Sequence, residues 1–214
     1  MRVGKTLVTF ALRQEGAPFA RTLSEREVRK GLFFGRLGVR RIAICWLGIG
    51  FGNRDLLAWA ISNFRPDLVL NSGFAGGIRS LLEAGDFVLA RNCTSPELLE
   101  RIAASRLFAA SGDFVSLTEI ASPETKARLG RETNALGINM ESERLTSFCR
   151  ENSVPLLTAR MISDRSDEAI PGLLVGQGMR TAGDILQAVR FAGRMLFLRE
   201  RLANRVGQLI EELG

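Results

Sequence analysis

Residues 41–53 read Arg41-Ile42-Ala43-Ile44-Cys45-Trp46-Leu47-Gly48-Ile49-Gly50-Phe51-Gly52-Asn53. A near-continuous apolar strand, Arg41 to Leu47, runs into a glycine-dense turn, and a helical pattern follows from about Arg54 to Asn63, with Pro66 marking its end. A strand with no polar alternation is covered on both faces, and the helix that follows supplies one cover. The same grammar repeats outward. Strands are expected at Leu7 to Ala11, Leu68 to Asn71, Asp86 to Ala90, Leu107 to Ser111, Ala135 to Asn139 and Leu156 to Met161. Helices are expected at Pro96 to Ala104, Pro123 to Arg131, Glu141 to Asn152 and Gly183 to Leu213. This predicts an α/β fold of three layers, a central mixed sheet flanked by helices, in one domain over residues 1–214.

Composition narrows the chemistry. The 214 residues are 46% apolar and 24% charged, enough apolar material for a core without disulfides or a structural metal. There is no His, which excludes a histidine base and His-ligated metal. The three cysteines, Cys45, Cys93 and Cys149, form no CxxC pair, so free thiols, no metal and no cofactor are expected. Net charge is +6, carried by arginine apart from Lys5, Lys30 and Lys126. No basic run is interleaved with aromatics, so no nucleic-acid partner is expected. The first ten residues lack a signal-peptide core, and no apolar run approaches the ~20 residues of a membrane span, so a cytoplasmic protein is expected. The last helix carries Ile185, Val189, Ala192, Leu196, Leu202, Val206, Leu209 and Leu213 at helical spacing, with Arg190, Arg194, Arg199, Arg201 and Arg205 opposite. Two readings stand: a helix that closes the sheet, or a basic face that docks on an anionic membrane.

Two glycine clusters follow strands, Gly48 to Asn53 and Asn71-Ser72-Gly73-Phe74-Ala75-Gly76-Gly77-Ile78. Each is either a tight turn or a loop whose backbone approaches a ligand at the carboxyl ends of strands. Neither is a dinucleotide fingerprint, and no Gly-Lys-Ser/Thr occurs. Two acidic residues also fall at strand ends, Glu141 in Asn139-Met140-Glu141-Ser142 and Asp164 in Ile162-Ser163-Asp164. Each could serve a helix start, Asp164 as an N-cap. Together they suit cleavage of a sugar–base bond, one accepting from a sugar diol and the other protonating the leaving base.

Phe74-Ala75-Gly76-Gly77-Ile78 with Gly85-Asp86-Phe87-Val88, then Asn139-Met140-Glu141-Ser142, then Arg160-Met161-Ile162-Ser163-Asp164 resemble, in order and spacing, the nucleoside phosphorylase and nucleosidase superfamily. The nearest resemblance is to methylthioadenosine/S-adenosylhomocysteine nucleosidases and hopanoid-associated phosphorylases, the latter through Ala169-Ile170-Pro171 as well. It implies cleavage of the N-glycosidic bond of an adenosine-type nucleoside. Asp164 would protonate the imidazole-side ring nitrogen, held by Ser163, with Met140 under the ribose and Glu141 on its hydroxyls. Phe74, Ala75, Gly76 and Asn139 would line the site. Ser111-Gly112-Asp113-Phe114-Val115 resembles the stretch whose ring stacks on the base, so Phe114 or Val115 would hold that place. Glu15, in the first loop Ala11-Leu12-Arg13-Gln14-Glu15, would activate water; phosphate would be co-substrate if Arg13 or Arg21 turns inward. The chain departs from the pattern with Phe74 where a small residue is usual and Asn139 where an acid is usual. It also has no His for the sugar's 5′ side. The alternatives are a phosphorylase acting on an adenosyl-lipid and a nucleoside-binding protein without catalysis. The resemblance also implies a homo-oligomer.

Overall fold

The computed structural model describes residues 3–172 and 182–214. Eleven strands form one sheet: β1 (Lys5–Phe10), β2 (Ser24–Arg29), β3 (Leu32–Leu37), β4 (Arg40–Trp46), β5 (Leu68–Asn71), β6 (Phe74–Gly77), β7 (Phe87–Ala90), β8 (Ala110–Gly112), β9 (Phe114–Ser116), β10 (Gly137–Asn139) and β11 (Leu156–Asp164). The helices are α1 (Arg13–Thr22), α2 (Arg54–Phe64), α3 (Pro96–Arg101), α4 (Pro123–Glu132), α5 (Ser142–Glu151) and α6 (Ala182–Glu212). The main path through the sheet runs β2-β3-β4-β1-β5-β11-β6-β10-β9, with β7 paired to β11 and β8 to β7. At its centre β4, β1, β5, β11 and β6 are parallel, while the β2–β3 hairpin and the β6–β10 and β7–β11 pairs are antiparallel. The sheet is therefore mixed, as the sequence predicts.

Side-chain alternation explains the three layers. Val8, Ile42, Ile44, Leu68 and Leu70 face one side, against Phe19 of α1, Leu98 of α3 and Leu202 and Val206 of α6. Their neighbours Leu7, Ala43, Cys45 and Val69 face the other, against Leu57 and Ala60 of α2 and Leu145 and Phe148 of α5. All three cysteines are free and buried, and burial pushes the Cys45 and Cys149 thiols up to about 12.

Several elements differ from expectation. Strand β2 is missed because it is exposed throughout and its Ser-Glu-Arg-Glu-Val-Arg carries no apolar signal, and β3, apolar at Leu32-Phe33-Phe34, is missed with it. The segment from Arg13 is a helix rather than a loop, with Glu15 in its first turn accepting from the Leu12 N–H at 3.3 Å. The second glycine cluster is not one loop: Phe74–Gly77 is a strand, because its backbone pairs with β11 and β10. Asp164 caps no helix. It is the last residue of β11, which runs three residues beyond the expected Met161. The strand near 107–111 forms at Ala110–Gly112, where β7 offers a parallel ladder.

Helix α6 divides the reading made of it. Leu202, Val206, Leu209 and Leu213 are buried and close the sheet, but Ile185, Val189, Ala192 and Leu196 face solvent. The first half of the helix buries a different set, Ala188, Phe191 and Leu198.

Candidate functional site

The central parallel strands end on one rim, and a cavity of about 240 Å³ opens there. Glu15, Phe74, Ala75, Gly76, Asn139, Met140, Glu141, Ser163 and Asp164 all line it, so elements far apart in sequence meet at one place. Phe114 and Val115 do not. Asn92 clamps the Phe114 backbone with two hydrogen bonds of 2.9 Å, and the ring packs on Gly137 among Ala75, Val88 and Ile162. Val115 turns towards the cluster of Ile78, Leu129 and Ile138. The apolar side chain that this segment delivers to the cavity is Leu117.

Asp164 reaches the cavity through a bulge. Ile162 pairs with Ala75 and Asp164 with Gly76, leaving Ser163 as the extra residue. Ser163 Oγ lies against Asp164 Oδ1 and 3.2 Å from the Ala75 carbonyl, which fixes the turn. A Cβ at Gly76 would stand 3.1 Å from Ile138 Cγ1 and 3.2 Å from Asp164 Oδ2, so glycine there leaves the carboxylate room. Asp164 Oδ2 is engaged by a residue that sequence reasoning passed over. Lys126 Nζ of α4, almost fully buried, pairs with Asp164 Oδ2 and donates to the carbonyls of Arg165 and Glu168, each at 2.7 Å. Three acceptors use the three ammonium protons. The available signal was a lysine on the inward face of α4, three residues before buried Leu129, in a chain with only three lysines.

Glu141 sits at the start of α5 but makes no capping bond with its side chain. The neighbouring Asn139 Oδ1 takes the Ser142 N–H instead, at 3.1 Å, and the Ser116 hydroxyl at 3.2 Å. Glu141 Oε1 accepts from Gly50 N at 3.3 Å, which joins the first glycine loop to the site. Gly48, Gly50 and Phe51 hold positive φ there, so the turn needs its glycines. Asn139 Nδ2 is buried without a protein partner at the cavity wall, a donor available to a ligand.

The second missed residue is Arg160, which opens the block ending in Asp164. It is buried, 3.8 Å from Glu141 Oε2, and donates to the Ser72 carbonyl and Asn71 Oδ1 at 3.0 Å each. Arg160 and Glu15 converge on Gly73, whose φ is 132°: a Cβ there would stand 2.8 Å from an Arg160 guanidinium nitrogen and 2.9 Å from Glu15 Oε2. Burial pushes the Glu15 carboxyl up to about 7, with the Arg160 charge pulling the other way. Neither expected phosphate ligand reaches the site: Arg13 is exposed, and Arg21 pairs with Glu200 at the surface, 2.7 Å away. Among the described residues no group of three or more His, Cys, Asp or Glu could hold a metal ion.

With this geometry in place, the sequence model of the phosphorylase superfamily matches residues 5–119. The chain belongs to the phosphorylase superfamily. The family resemblance carried by the three short blocks is thereby confirmed, although the Met-Glu-Ser block and Asp164 lie beyond the matched residues. Among the superfamily's named members, a Staphylococcus aureus 5′-methylthioadenosine/S-adenosylhomocysteine nucleosidase is 26% identical over 175 residues, 66% of this chain and 77% of that protein. Solved structures share the fold. The S-adenosylhomocysteine nucleosidase of Streptococcus pyogenes, in complex with 5-methylthiotubericidin, aligns with a TM-score of 0.77 at 15% identity, covering 100% of this chain and 99% of that one. The futalosine hydrolase of Helicobacter pylori aligns with a TM-score of 0.73 at 20% identity, covering 98% of each chain.

Proposed function

We propose that this protein cleaves the N-glycosidic bond of a purine nucleoside, with water as the acceptor. The observation that carries the reading is the convergence of Glu15, Glu141 and Asp164, from three distant segments, on one largely apolar cavity whose fourth carboxylate, Glu119, is exposed. Asp164, held by Ser163, passes a proton from the paired Lys126 ammonium to the departing base at its imidazole-side nitrogen, leaving the lysine neutral. Glu141 accepts from the ribose hydroxyls, Met140 packs under the sugar, and Asn139 Nδ2 donates to it. Glu15 takes the proton of the attacking water; a carboxyl brought to about 7 by burial suits a base working near neutral pH. The transition state is oxocarbenium-like, so two carboxylates beside the sugar stabilise it while Asp164 neutralises the base.

Water is favoured over phosphate by the charges that face the acceptor position. Arg160 has both terminal nitrogens committed to protein acceptors, and Glu15 and Glu141 would repel an anion. Adenosine-type substrates, such as those named in the S. aureus nucleosidase, are the first to try. Among the described residues no helix is long and apolar enough to cross a membrane, and we place the reaction in the cytoplasm. Chromatography of methylthioadenosine, adenosine and inosine digests, each with and without phosphate, tests the proposal. Free base without phosphate is expected. Base only with phosphate would make it a phosphorylase. Binding of these nucleosides without any base release would leave a binding protein, with half-buried Phe74 narrowing the acceptor side.

A further inference from the structure

The first half of α6 presents an apolar face that no described part of the chain covers. Ile185, Leu186, Val189, Leu196 and Phe197 are between 42% and 67% exposed, and Ala192 and Gly193 lie exposed among them. At helical spacing these residues fill an arc of about 140°, roughly 18 Å long. Arg190 and Arg201 run along one edge of the arc and Arg199 along the other. Further along the helix the same arc turns polar, through Glu200, Asn204 and Glu211, and Glu200 is already paired with Arg21. A broad apolar stripe between arginine edges, on a helix too polar to span a bilayer, is the pattern of a helix lying in a membrane interface.

We propose that residues 185–197 dock the protein on an anionic lipid surface. The apolar arc enters the headgroup–acyl boundary while Arg190, Arg199 and Arg201 meet lipid phosphates. Charge decides between this occupant and a second copy of the chain. Pairing two copies through the face, with helices parallel or antiparallel, sets the arginine edges of one against those of the other; a chain of net charge +6 gains nothing from that contact. Anionic lipid neutralises the same arginines. The stripe is also tied to the site's edge: Arg194 of α6 pairs with Glu168 at 2.6 Å, and the Glu168 carbonyl accepts from Lys126. This inference stands whether or not the nucleosidase reading does.

Co-sedimentation of the full chain with vesicles of phosphatidylcholine, alone or mixed with phosphatidylglycerol, tests it. The protein should pellet with the phosphatidylglycerol vesicles and not with phosphatidylcholine alone, and salt should release it. Leu186→Gln/Phe197→Ser should lower the bound fraction at least about tenfold with an unchanged melting temperature, because both side chains are exposed. If that pair does lower the melting temperature, Val189→Gln supplies the same comparison. Arg190→Gln/Arg201→Gln should weaken the phosphatidylglycerol binding. The proposal is overturned by failure to pellet with phosphatidylglycerol vesicles, or by pelleting that Leu186→Gln/Phe197→Ser leaves intact. A dimer in solution that the same pair dissociates would also overturn it, since a second copy would then own the face.

Discussion

At the scale of single residues, the Lys126–Asp164 pair changes what a simple substitution does. Were Asp164 only a helix cap, Asp164→Asn would cost little, since Asn caps as well. In the structure Asp164 neutralises a buried ammonium. Asp164→Asn is therefore expected to lower stability by roughly 3–5 kcal/mol, the cost of stranding a buried charge, alongside a fall in turnover of at least about a hundredfold. Lys126→Met/Asp164→Asn should recover much of the stability and none of the turnover; thermal melting and base release on the same samples check both. Glu15 gives a pH signature. Its carboxyl sits at about 7 in the folded protein against an ordinary 4.5, so the folded state holds a proton that the unfolded chain has lost. That contribution to stability is complete below the ordinary value and is lost as pH rises through about 7. Between about pH 5 and about pH 8 the wild type should lose up to about 3 kcal/mol relative to Glu15→Gln. Activity should run the opposite way, rising through about 7 as the base ionises and vanishing in Glu15→Gln.

At the scale of elements, the turn between β5 and β6 and the two halves of α6 make separate predictions. Gly73→Ala places a Cβ at a positive φ and drives it against Arg160 and Glu15. A loss of at least tenfold in kcat/KM, about 1.4 kcal/mol, is expected together with a lower melting temperature. In α6, Leu202→Ala removes a fully buried side chain and should cost 2–5 kcal/mol, to an order of magnitude. Leu196→Ala, on the exposed face, should change stability by less than about 0.5 kcal/mol. Denaturant titration separates the two, although both leucines fit the same helical period. That pair shows where sequence reading stops: periodicity finds an apolar stripe but not whether anything covers it. The central strands were legible because burial on both faces leaves no polar alternation to misread. The edge strand β2 was not, because a strand of exposed side chains has no burial to record; β3 was missed although its Leu32-Phe33-Phe34 is apolar.

At the scale of the whole molecule, the sheet brings residues 15, 141 and 164 to one rim because β11 inserts between β5 and β6 while α1 and α5 begin beside the strand ends. The acidic members of that site could be picked out from their strand-end positions and from short family-like blocks. Their basic partners could not. Arg160 and Lys126 look like ordinary charges until burial places them, one behind Glu15 and Glu141, the other against Asp164. Phe114 and Val115 were misplaced for a related reason: both side chains of the short strand β9 pack into apolar clusters on opposite sides, and the cavity takes Leu117, beyond the strand's end. What the assembled site claims is hydrolysis, and one measurement addresses it directly. Incubate the protein with a purine nucleoside in phosphate-free water enriched in heavy oxygen, and weigh the sugar product by mass spectrometry. Hydrolysis yields free purine and a sugar carrying one heavy oxygen at its anomeric carbon. No purine release, or a product that forms only when phosphate is added and carries it at that carbon, would contradict it.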